Sequence, residues 1–134
     1  MPGPAGPDGA NLRKYVRFTT ELSVKYRLIG VDANRPVESE VFEGFTHNIS
    51  QGGMLLIGRL PNPDYVSMLL RNKIVMALSF TLPGDTYVLK SLCHAAWVES
   101  VIEFPGLTTF GINFSEMVQE DREKVLAYIL KNQI

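Results

Sequence analysis

The sequence predicts a mostly β domain, a small antiparallel barrel with one helix packed against it at the C-terminal end. Three observations carry this reading. Apolar and polar residues alternate with a period of two in several segments, turn residues separate those segments at hairpin spacing, and the period turns helical only from Gln119. With 134 residues, 46% of them hydrophobic, the chain has the length of one domain and the apolar content for a real core.

The elements follow in order. Residues 1–10, MPGPAGPDGA, contain three prolines and three glycines and cannot build a packed element. They set a flexible leader over 1–11 ahead of a single domain over 12–134. Leu22, Val24, Tyr26 and Leu28 share one face of a half-buried strand, with Glu21, Ser23, Lys25 and Arg27 on the other. GVDANRP (30–36) is a turn, and VESEVFEGFTHNI returns as a strand with acids on its outer face. MLLIG is a short buried strand, and LPNPDYVSMLLRNK holds one helical turn after loop chemistry. Ile74, Met76, Leu78, Phe80 and Leu82 line one face of the next strand, which ends at the PGD turn. A long strand runs through YVLKSLCHAAWVES, with Trp97 assigned to the core, and TTFGINF aligns Phe110, Ile112 and Phe114. Val118, Val125 and Ile129 share a helix face, and Glu120, Asp121 and Glu123 form a solvated first turn favoured by the helix dipole.

Charge and composition exclude several classes. The net charge of −1 argues against a general nucleic-acid binder. Residues 11–35 are locally basic (Arg13, Lys14, Arg17, Lys25, Arg27 and Arg35 against Glu21 and Asp32), so that end suits a compact anion. Cys93 is the single cysteine, which excludes an internal disulfide and a cysteine-based metal cluster. No apolar run is long enough to cross a bilayer, so membrane insertion is not expected. The first residues lack a basic and an apolar signal region, and a cytoplasmic protein is the simplest expectation. On that expectation the glycosylation sequon at Asn48–Ser50 is chance. Adjacent Cys93 and His94 would point to opposite faces of a strand and cannot form a nucleophile–base pair. With no metal-ligand spacing and no phosphate loop, the expectation is a non-enzyme without cofactor.

Two short motifs carry the function. Arg13 and Arg17, in RKYVR, precede the first strand, and guanidinium groups suit phosphate and the O6/N7 edge of guanine through planar, bidentate bonding. Asn48, Ser50 and Gly53, in NISQGG, have the form N-x-S-x-x-G. Asn48 and Ser50 share a strand face, while Gly53 can admit a ring to the backbone. A plain turn, with Gly52 or Gly53 at positive φ, would also explain the second motif.

R-x-x-x-R followed one hairpin later by [D/N]-x-S-x-x-G resembles the signature of the PilZ domain, the bacterial receptor family for cyclic di-GMP. The resemblance extends over roughly residues 12–131 and includes CHAAWVES, FGINF and the closing helix. It implies a six-stranded antiparallel split barrel with a C-terminal helix. Arg13 and Arg17 would grip phosphates and guanine edges, Asn48 and Ser50 would contact a guanine, and Gly53 would keep the surface open. Lys14, Leu12 and Gly52 are secondary candidates. Position 48 is Asn where the family often has Asp, so it offers guanine one acceptor oxygen instead of two. The resemblance implies a stand-alone receptor that signals to a downstream protein by ligand-induced ordering. The alternative is a non-binding scaffold of the same fold used for protein contacts.

Overall fold

The computed structural model of the chain describes residues 17–100 and 106–132, with the backbone alone over 17–20. The leader over 1–11, and with it Leu12, Arg13 and Lys14, lies outside the described residues. The elements are β1 (Arg17–Gly30), β2 (Arg35–Pro36), β3 (Phe42–Ser50), β4 (Gly53–Arg59), α1 (Tyr65–Leu70), β5 (Ile74–Thr81), β6 (Val88–Ser100), β7 (Leu107–Glu116) and α2 (Gln119–Lys131).

Every strand pair is antiparallel, in the order β2-β1-β3-β4-β7-β6-β5, and β5 closes back onto β1. Six long strands therefore form a closed barrel, to which β2 adds a two-residue fringe. β1 is shared between the two sides of the closure. It pairs with β3 over Arg17–Tyr26 and with β5 over Val24–Gly30, so its ends diverge, as in a split barrel.

The alternation read in the sequence becomes the core. Leu22, Val24, Tyr26 and Leu28 point inward from β1, and Ile74, Met76, Leu78 and Phe80 from β5. They meet Leu56, Phe110, Ile112 and Phe114. The Tyr26 ring stacks on Phe42 with centroids 5.5 Å apart, and its hydroxyl donates to the Arg59 carbonyl. Cys93 is fully buried, and burial pushes its thiol up to about 12.

Two short helices finish the barrel. α1 buries Leu69 against β5 and β6 and ends in a Schellman motif, with Asn72 at φ 62°. In that cap Lys73 N donates to Met68 O at 2.8 Å and Asn72 N to Leu69 O at 3.1 Å. α2 sends Val125 and Ile129 into the core.

The structure corrects several sequence expectations. Asp121 is not solvated: it is 3% exposed, accepting from Tyr87 Oη at 2.8 Å and from Lys90 N at 3.1 Å. Those two donors belong to β6 and its approach, so the acid docks α2 as well as favouring the helix dipole. Val118 is the exposed N-cap of α2 and not part of its buried face. Residues 37–41 are a loop: Val37 N still donates to Leu28 O of β1 at 2.9 Å, but the polar groups that follow are engaged with side chains. Glu38 accepts from Tyr65 Oη at 2.6 Å, Ser39 O accepts from Arg27 at 3.1 Å, and Glu40 pairs with Arg59 at 3.1 Å. Leu69 is core, whereas Leu70 is exposed. Trp97, assigned to the core, is 44% exposed.

Candidate functional site

The β1–β3 register brings the two sequence motifs together. Arg17 lies opposite Ser50, and Thr19 opposite Asn48. Arg17 is thus at the barrel wall beside N-x-S-x-x-G, whereas Arg13 lies outside the described residues.

A β-bulge decides where Asn48 points. In the first part of β3, Phe42 and Thr46 are buried, so an unbroken period of two would turn Asn48 inward as well. The register slips between Thr46 and Asn48 on the β4 side, leaving His47 as the extra residue. Beyond the slip Ile49 faces the core, and Asn48 and Ser50 share the opposite face. Thr46, itself fully buried, clamps the bulge: its hydroxyl accepts from Asn48 N at 3.1 Å and donates to Asn48 O at 3.0 Å.

β6 repeats the device. Cys93 and Ala95 are buried, and an unbroken alternation would send Trp97 inward behind them. The register slips between Ala95 and Trp97, with Ala96 as the extra residue, and the indole turns out. It lies over Gly111, where a side chain would overlap the ring: a Cβ built at Gly111 meets Nε1, Cε2 and Cδ1 of Trp97. The broken alternation in HAAWV is the only sequence sign of this arrangement.

Both bulges feed one surface. Across four strands, Asn48 pairs with Leu55, Leu55 with Gly111, and Gly111 with Trp97. The parallel row starts at Arg17 opposite Ser50, crosses the turn to Gly53, and continues through Asn113 to His94. Neither row contains an acid, so nothing within them repels a phosphate. Asn48 Oδ1 is removed from solvent and receives no hydrogen bond among the described residues. An unmet buried acceptor costs about 1–3 kcal/mol, which a donor placed against it recovers.

The turn that joins β3 to β4 is held by its own hydroxyl. Ser50 is 6% exposed, and its Oγ accepts from Gly52 N and donates to Gly53 O, both at 3.2 Å. Gly52 O accepts from Phe114 N at 2.8 Å. Neither glycine takes positive φ; among the described residues the glycines that do are Gly84 and Gly106. Gly53 instead lacks a side chain because β7 occupies its place, since a Cβ there would overlap the Ile112 carbonyl. The two glycines thus let this end of the surface lie flat against β7.

The PilZ domain model matches residues 11–131. Comparison with curated protein sequences finds no match. Among solved structures the chain resembles the Bacillus subtilis inhibitor of motility MotI/DgrA, with a TM-score of 0.67 at 18% identity, covering 92% of this chain and 52% of that one. It also resembles the PilZ domain of YcgR from Escherichia coli, solved with c-di-GMP, with a TM-score of 0.57 at 12% identity over 90% of this chain and 91% of that one. The K. pneumonia MrkH–c-di-GMP complex gives 0.58 at 14% identity over 91% of this chain and 52% of that one. The chain therefore spans about half the length of the MotI and MrkH structures, and at these identities the likeness concerns the fold.

Proposed function

Because the chain belongs to the PilZ domain family, we propose that it is a cyclic di-GMP receptor whose ligand lies on the two-row surface of β3, β4, β7 and β6. The observation that carries this is the shared row of Asn48 and Trp97, two side chains turned outward by separate bulges. Cyclic di-GMP presents two phosphate charges, two guanine edges and broad stacking faces. The unmet Asn48 Oδ1 takes one donor of a guanine Watson–Crick edge, and the exposed indole face of Trp97 takes a ring by stacking. Arg17, with Arg13 from outside the described residues, supplies charge-assisted bonds to phosphate and the guanine O6/N7 edge, each worth about 1.5–3 kcal/mol. Ser50 acts mainly by holding the turn, and Gly52 and Gly53 by keeping it low. Lys14 adds charge beside the arginines, and Leu12 bears on how many ligand molecules stack there.

The signalling step in this proposal is ordering: ligand draws the arginine-bearing segment onto the barrel and changes the surface that a downstream protein meets. The fold and the family support a receptor or effector without catalysis, and the single thiol fits that role. With its pKa raised and its side chain fully buried, Cys93 is no nucleophile.

Isothermal titration with cyclic di-GMP tests the reading, using the parent and the Arg13→Ala, Arg17→Ala double variant. The expected result is saturable binding by the parent that the variant loses. Absence of binding to the parent in both calorimetry and equilibrium dialysis would leave the same fold serving as a protein-contact scaffold.

A further inference from the structure

A groove adjoins the ligand surface along β6 and β7 and shares with it only His94, the last residue of the second row. It consists of two cavities of about 620 and 520 Å³ that share Ala77, Leu92, Ser115 and Glu116 and are therefore continuous. Both volumes fall within the range of ligand-sized pockets. The floor is apolar and low, formed by Val75 and Ala77 of β5 and Leu92 of β6, with Val31 and Val118 exposed at its two ends.

Charge identifies what fits this floor. Arg35, Lys90 and Arg122 line the groove against a single acid, Glu116, in a chain whose net charge is −1. Among the described residues the one salt bridge is Arg59–Glu40, so none of these three cations has a carboxylate within ion-pair distance. Arg122 Nε donates to Met117 O at 3.2 Å, which fixes the side chain and leaves its other guanidinium donors directed elsewhere. Three cations over an apolar floor complement an occupant that alternates acids with apolar side chains.

We propose that this groove docks an extended segment of a partner protein in which Asp or Glu alternates with aliphatic residues. The aliphatic side chains pack on Ala77 and Leu92, and the acids meet Arg35, Lys90 and Arg122. β6 and β7 carry both surfaces, since Leu92 and Ser115 face the groove while Trp97 and Gly111 belong to the ligand rows. The docking proposal stands independently of whether cyclic di-GMP binds.

The test is an NMR titration of the ¹⁵N-labelled full chain with a capped decapeptide alternating Glu and Val, beside a counterpart with Lys in place of Glu. The expected result is shifts centred on the amides of Ala77, Leu92, Ser115 and Glu116 with the acidic peptide only. Affinity should fall as salt rises toward the regime where exposed charges are screened. The Arg35→Glu, Lys90→Glu double variant, shown to be folded by its dispersed spectrum, should bind at least about tenfold more weakly, the equivalent of one 1.4 kcal/mol step. No shifts at millimolar peptide, shifts centred on other residues, or equal binding of the lysine peptide would overturn the proposal. So would shifts at the groove amides that appear on raising protein concentration alone with a sedimenting dimer, since a second copy would then be the occupant.

Discussion

Trp97 is the chain's only tryptophan, so its fluorescence reports one place on the molecule. If a guanine stacks on it, adding cyclic di-GMP quenches or shifts the emission saturably, and Trp97→Ala weakens binding by about 1–3 kcal/mol, roughly 5- to 150-fold in Kd. Emission that stays constant while calorimetry records binding would remove the indole from the site. Thr46 acts at one remove. Thr46→Val keeps the shape but leaves Asn48 N without its acceptor, so stability should fall by about 1–3 kcal/mol. Ligand affinity should fall with it, because the bulge that aims Asn48 loses its clamp; unchanged affinity, read by calorimetry below the unfolding temperature, would count against that role. Cys93 provides a check on burial. Its folded thiol keeps its proton to about 12, above the ordinary 9.0, so its contribution to stability is complete below 9.0 and is lost as pH climbs through the folded value. Between those values the parent should lose denaturation midpoint faster than Cys93→Ala, and a native thiol that reacts readily with Ellman's reagent at pH 8 would contradict the placement of β6.

The strands show which features of an element are written in its own residues. β1, β5 and β7 were readable because their core residues keep a strict period of two, from Leu22 to Leu28, Ile74 to Phe80 and Phe110 to Phe114. The period fails in β3 and β6, where the extra residues His47 and Ala96 reverse the faces. A bulge is a property of a strand pair, fixed by the neighbour's register, so its position is not visible in one strand alone. That is why the N-x-S-x-x-G half of the candidate site is legible as a motif, while alternation alone puts Trp97 in the core. Asp121 was misread for a related reason. The helix dipole explains an acid in a first turn, but its donors, Tyr87 Oη and Lys90 N, come from more than thirty residues away, at separations of 34 and 31. Replacing it tests the docking directly: Asp121→Ala strands the Lys90 N–H and should destabilise the protein by about 1.5–3 kcal/mol in urea unfolding, far more than Glu120→Ala on the exposed side of the same turn. Equal effects of the two substitutions would reduce Asp121 to a dipole contribution.

At the scale of the molecule, closure of the barrel limits how a ligand can act. β5 returns to β1, so the six long strands form one ring, closed over Val24–Gly30 of β1 and Val88–Cys93 of β6. The core from Val24 to Ile129 is continuous, which resists large rearrangement of the wall. On the proposed reading, a ligand on the two-row surface acts through what it adds to that surface and through the segment that it brings there. The expected signature is local in structure and global in stability. On saturation, hydrogen exchange should slow at residues 11–18 and at the β3–β4 turn. Binding only the native state should raise stability by about 2.7 kcal/mol at a free ligand concentration one hundred times Kd, seen as an upward shift of several degrees in Tm. Protection that rises across the barrel in proportion to that stability, without extra slowing at 11–18, would mean that ligand binds a surface already formed, and ordering would have no part in the signal.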